Sequence, residues 1–204
     1  MVDKDSTPLS NRVTPPFGKA YCQIKSELLQ IKLLLDVAAQ APSSFNIQHW
    51  RIVNVTDPLL RAQLRDAAYD QAQVTDASLL FVVCTDIKAW EKDPQRYWTH
   101  APKEAQDILV PWINPFYAGK EQLQRDEAMR SVGLILQTLM IGAKAMGYDS
   151  CPMIGFDIEK VGQLVNLPEN YAVGAMLVVG KGIKPAWPKP GFIPMSVMVV
   201  ENHF

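Results

Sequence analysis

Residues 41–50, APSSFNIQHW, bring together Pro42, Ser43, Ser44, Asn46, Gln48 and His49, short groups that donate and accept hydrogen bonds. Ending a helix and starting the next element takes one or two such residues. The excess points to a ligand. A serine nucleophile would need a base in reach, and His49 is the nearest imidazole. No G-x-S-x-G elbow surrounds Ser43 or Ser44, so a turn explains them better than a hydrolase site. A second loop, CPMIGF at 151–156, has Pro152 and Gly155 bracketing Met153 and Ile154, which exposes backbone N–H groups to a partner while the side chains pack. An ordinary strand-exit turn would read the same way.

Other chemistries find less support. No His, Cys, Asp or Glu group has the spacing of a metal site, so no metal is expected. There is no G-x-G-x-x-G and no Walker loop. The three cysteines, Cys22, Cys84 and Cys151, are odd in number and far apart, which fits a reducing cytoplasm better than a disulfide framework. Cys84 ends an apolar run and reads as a small buried hydrophobe, while Cys151, beside the second loop, is the thiol most open to chemistry.

The elements that must position these loops follow from periodicity. Ser26 caps a helix over 26–40 that stops at Pro42. WRIVNV, 50–55, and LLFVVC, 79–84, read as strands, and Asp57–Pro58 starts a helix to about Tyr69. Residues 86–120 give only broken helix among prolines and tryptophans. The longest helix runs from Arg125 to Met146 with Gly147 as its left-handed terminator. YDSCPMIGF is strand and loop, Asp157 caps a short helix to Val165, and AVGAMLVVG, 172–180, is a further strand. Separated strands with long helices between them indicate an α+β or α/β arrangement, which periodicity does not choose between.

The 204 residues, 48% apolar, suffice for one sizeable core, and no linker or repeat divides them. A single domain over 1–204 is expected, with an N-terminal arm at 1–20 and a C-terminal extension at 183–204. With 20 basic and 21 acidic residues the net charge is −1, which favours neither nucleic acid nor an anionic membrane. The most apolar segment, SVGLILQTLMIGA, is shorter than a spanning helix and interrupted by Gln137, so a soluble protein is expected.

Taken together, the P-S-S-x-N-x-Q-x-W loop, the DAS-strand segment, the RDEAMR helix and the P-x-x-G-F loop occur in the order found in FMN-dependent nitroreductases, and the chain resembles that family over roughly residues 11–200. CPMIGFD with RDEAMR looks most like its NAD(P)H nitroreductase subgroup. The resemblance implies an α+β fold with a mainly antiparallel sheet flanked by helices, in an intertwined homodimer with FMN at the subunit interface. Gly133, Gly142 and Ala143 of the long helix would then suit the dimer core.

Site residues follow from the same resemblance. Pro42, Ser43, Ser44 and Asn46 would reach the flavin held by the partner subunit, with Gln48 holding the loop and Trp50 beneath it. The 152–155 loop, Pro152, Met153, Ile154 and Gly155, would offer flavin N5 a backbone amide of Ile154 or Gly155. Gln71, with Asp70 and Gln73 nearby, would meet the pyrimidine edge, and Arg12, Thr14 and Lys189 the phosphate. Two cations stand where the family has three or four, each missing one removing a charge-assisted bond of about 1.5–3 kcal/mol, so FMN affinity should be modest. His49 replaces the family's common proline. The implied activity is ping-pong transfer from NADH or NADPH through FMN to a nitroaromatic, a quinone or a similar small acceptor, with no side-chain acid or base. The thinned phosphate set leaves as an alternative a flavin-binding or interaction protein without turnover, and the shared fold leaves a related flavoenzyme such as a dehalogenase.

Overall fold

The computed structural model of the protein describes residues 24–204, with side chains described from Leu29 onward. Arg12, Thr14, Cys22 and the expected N-terminal arm lie outside the described residues.

Four strands, β1 (Trp50–Asn54), β2 (Leu79–Asp86), β3 (Asp149–Met153) and β4 (Tyr171–Gly180), form a fully antiparallel sheet in the order β1-β2-β4-β3. The two central strands are buried on both faces, which is why they read as continuous apolar runs. Phe81 and Val83 of β2 and Leu177 and Val179 of β4 point to one layer, built from α1 (Ile24–Ala38) and α5 (Glu121–Ala145). Leu80, Val82, Cys84, Met176 and Val178 point to the other, built from α2 (Pro58–Ala67), α3 (Gln73–Asp76) and α6 (Ile158–Leu164). The architecture is α+β, with one helical layer on each face.

Local chemistry sets the helix ends. The Asp57 carboxylate accepts from Leu59 N–H at 3.0 Å with Pro58 in the first turn, and Asp157 accepts from Lys160 N–H at 2.9 Å. Gly147, at φ +81°, ends α5 and lets Tyr148 N–H reach back to Ala143 O at 2.9 Å.

Two expectations need correction. Residues 103–117 are one helix, α4 (Lys103–Tyr117), although it contains Pro111 and Pro115. Both prolines are exposed, so the carbonyls they leave unpaired can meet water, while Ile113 and Tyr117 are fully buried and hold the helix in place. Gly142 and Ala143 also turn inward. A Cβ on Gly142 would stand 3.1 Å from Leu34 of α1, so these small residues seat α1 on α5, and only Gly133 is exposed.

The register between β2 and β4 slips between Val83 and Cys84, leaving Gly174 as the extra residue of a bulge. A Cβ there would lie 2.5 Å from Val132 Cγ1 and 3.0 Å from Val83 O. Gly174→Ala is expected to cost about 1–3 kcal/mol by overpacking; a urea midpoint equal to wild type would show that Val132 can move aside.

Candidate functional site

The sheet brings both chemistry-bearing loops to one end. β1 begins at Trp50 opposite Thr85, β2 ends at Asp86 opposite Tyr171, and β3 ends at Met153. The 42–49 loop, the segment after Asp86 and the 152–157 loop therefore share an edge of the molecule. Within one chain, though, β1 and β3 are the opposite margins of the sheet, three strand spacings or about 14 Å apart.

In the first loop Phe45, Asn46 and Gln48 all have positive φ, at 51°, 56° and 51°. Gln48 N–H donates to Ser43 Oγ at 2.9 Å, and the Gln48 amide donates to Asn46 O and Oδ1, both at 3.3 Å. Asn46 is exposed, and its Nδ2 donates to Tyr97 O at 2.8 Å, tying the loop to the 3-10 turn Pro94–Trp98. Pro42 is exposed, Ser43 and Ser44 are half-buried, and Trp50 is buried among Leu34, Ala38 and Val83.

Beneath the loop lies a group of polar residues that sequence patterns leave unmarked. His49 is fully buried; its carbonyl accepts from Asp86 N–H at 2.8 Å, and its Nδ1 lies 3.1 Å from Ser131 Oγ on α5. Its Nε2 is buried and has no hydrogen-bond partner among the described residues. Burial, the largest influence, lowers its pKa to about 4, with Asp86 raising it and Arg51 lowering it. Tyr117 stands edge-on to His49 and stacks on Trp90 with ring centroids 5.9 Å apart. Burial pushes its hydroxyl pKa up, and the Ser44 hydroxyl partly offsets that. Tyr117 O accepts from Gln124 Nε2 at 2.8 Å, and Gln124 Oε1 accepts from Lys88 at 2.7 Å. Asp86, 1% exposed, receives Lys88 N–H and Lys92 Nζ, each at 3.0 Å.

In the second loop, Ile154 is 59% exposed, and neither its N–H nor that of Gly155 donates to an acceptor among the described residues. Gly155 O is pinned, since Gln71 Nε2 donates to it at 2.7 Å and to Ala68 O at 2.9 Å. Gln71 is 4% exposed, and its Oε1 accepts from Gln73. Its amide is thus directed at the loop. Asp70 pairs with Arg65 at 2.6 Å. Pro152 fits within a strand because β3 is an edge. Cys151 is 1% exposed, so the thiol expected to be open is buried, and burial raises the Cys84 pKa to about 11. Lys189 is exposed, with its ammonium 4.5 Å from the Phe192 ring centroid.

Among the described residues these groups offer backbone donors without an acceptor on one loop and a turn of short polar groups on the other. Among the described residues no His, Cys, Asp and Glu set could hold a metal ion, and no helix is long and apolar enough to cross a membrane.

The nitroreductase family model matches residues 27–181. Protein DrgA of Synechocystis sp. is 54% identical over 171 residues, covering 81% of each chain. Bacillus subtilis YodC, named a putative NAD(P)H nitroreductase, is 35% identical over 167 residues, covering 79% of this chain and 81% of its own. The structure of a putative nitroreductase from Exiguobacterium sibiricum in complex with FMN superposes with a TM-score of 0.82 at 26% identity, covering 93% of this chain and 92% of that one. The chain belongs to the nitroreductase family.

Proposed function

We propose that the protein is an FMN-dependent oxidoreductase that takes reducing equivalents from NADH or NADPH and delivers them, in ping-pong turnover at one open site, to a small acceptor such as a nitroaromatic or a quinone. The observation that carries this reading is the 152–155 loop, whose Gly155 carbonyl is held by Gln71 while the Ile154 and Gly155 N–H groups have no acceptor among the described residues. A flavin ring nitrogen is an acceptor suited to that arrangement, and the FMN complex of the Exiguobacterium protein supports the choice of cofactor. When bound, FMN supplies the two-electron chemistry. The chain's part is to hold and orient it, with Pro152, Met153, Ile154 and Gly155 at the ring, Gln71 acting through Gly155, and Arg12, Thr14 and Lys189 toward the phosphate. Exposed Ile154 gives the pocket an apolar wall that excludes water.

The 14 Å between β1 and β3 argues that Pro42, Ser43, Ser44 and Asn46 serve the flavin of a second copy. Exposed apolar surface supports a homodimer: Leu29, Leu33 and Val37 recur every fourth residue on α1 at 71%, 51% and 40% exposure, and Leu134 and Ile141 extend the surface on α5. A groove of about 670 Å3 between α5 and α6 runs beside Ala172 and Val173, where β4 extends beyond its pairing with β3. The tail from Phe192 to Val200 carries seven exposed apolar side chains (Phe192, Ile193, Met195, Val197, Met198, Val199 and Val200), which suits it to a partner's surface. Leu33→Asp with Ile141→Asp is expected to halve the mass measured by light scattering; an unchanged mass would place the interface elsewhere. The buried thiol of Cys84 fits a cytoplasmic setting.

The visible spectrum of the purified protein, before and after FMN and then anaerobic NADH, tests the reading. A flavin spectrum that bleaches on reductant is expected. Protein that binds FMN but resists reduction by either nucleotide would favour a flavin-binding protein without turnover, and protein that cannot be loaded would remove the cofactor.

A further inference from the structure

Three non-glycine residues in one short turn, Phe45, Asn46 and Gln48, hold left-handed backbone angles. Such conformations are unfavourable, and they persist only where the surroundings over-determine them. The bonds from Gln48 to Ser43 and Asn46 are local to the turn and partly open to solvent. A deeper restraint comes from His49. Its backbone is fixed by Asp86 N–H at 2.8 Å, and its ring reaches Ser131, 82 residues away on α5, through Nδ1 at 3.1 Å.

Packing alone does not account for an imidazole at this position. A fully buried ring whose Nε2 has no partner among the described residues bears a desolvation cost that phenylalanine would avoid. What the imidazole adds is the Nδ1 contact with Ser131. We propose that His49 is the positioning residue of the 43–48 turn: through Ser131 it fastens the turn to α5 and so fixes the polar surface presented to the flavin. The catalytic consequence rests on the flavin reading above, whereas the restraint on the turn does not.

The amides of Asn46, Ile47 and Gln48 report on the turn directly, because they bond to Ser43 O at 2.9 Å, Ser44 O at 3.1 Å and Ser43 Oγ at 2.9 Å. Hydrogen exchange at these three amides is measured in the full chain without flavin, for wild type, Ser131→Ala, His49→Phe and His49→Asn. Asparagine places a polar atom close to where Nδ1 stands. Exchange is expected to be at least tenfold faster in Ser131→Ala and His49→Phe, unchanged in the central strands, and restored in His49→Asn. FMN dissociation constants should rise about tenfold in the first two variants and return in the third. Turn amides exchanging at the wild-type rate in both Ser131→Ala and His49→Phe, or His49→Asn behaving like His49→Phe, would overturn the proposal. If His49→Phe does not fold, Ser131→Ala, which removes a single oxygen, decides. Wild-type protein that fails to bind FMN would overturn the flavin reading, and the exchange rates would still decide the role of His49.

Discussion

Gln71→Leu is expected to lower stability by about 2 kcal/mol, or roughly 6 °C in melting midpoint, and to slow flavin reduction by NADH at least tenfold. The buried amide spans two segments that are far apart in sequence, donating to Ala68 O at the end of α2 and to Gly155 O in the loop after β3. Leucine fills much of the same space and donates nothing. Ala68 O keeps a bond from the residue 71 N–H, so the main loss falls on Gly155 O. With its carbonyl released, the 154–155 backbone can turn, and in the proposed flavin contact the Ile154 and Gly155 N–H groups would lose their aim. Thermal unfolding and anaerobic stopped-flow reduction measure the two effects. A destabilised variant with normal flavin reduction would separate Gln71 from the cofactor, and a variant unchanged in both would mean that another donor has replaced it.

Acid should destabilise the protein well above the range in which carboxylates titrate. His49 has a folded pKa of about 4 against 6.5 unfolded, so below pH 6.5 the unfolded chain takes up a proton that the folded chain refuses. Its stabilising contribution is full above pH 6.5, falls as the pH drops toward 4, and amounts to about 3 kcal/mol. Asp149 behaves differently. The Lys144 ammonium, helped by Gly182 N–H, holds its carboxyl below the usual 3.8, so its contribution is complete above that value and is lost as the pH falls further. The two windows therefore separate. Urea midpoints at fixed protein concentration should slope between pH 6.5 and 4 in wild type and be nearly flat there in His49→Phe. Equal slopes would assign the acid sensitivity to another group.

Sequence was most informative where one residue or one run determines its own structure. The unbroken apolar runs of β2 and β4 could only be strands buried on both faces, and Gly147 and Asp57–Pro58 mark helix ends by backbone and capping chemistry that stays local. Information was lost wherever a distant contact decides. Pro111 and Pro115 signal a broken helix, yet Ile113 and Tyr117 bury enough surface to hold α4 together. Gly142 reads as a place for a partner helix and is used by α1 of the same chain. The two loops stood out in the sequence as candidates, but what supports them did not. Nothing near Asn46 names Tyr97, nothing near His49 names Ser131, and Gln71 looks like a ligand contact until Gly155 is placed against it.

The mismatch between β3 and β4 has a consequence for how the protein is handled in cells. β3 covers β4 only from Met176 to Gly180, so among the described residues the stretch from Tyr171 to Ala175 presents an uncovered margin on that side. An unpaired strand edge can template pairing with a neighbouring extended segment, so aggregation competes with folding. Recovery of soluble protein should therefore improve with slow synthesis and with cofactor present during expression.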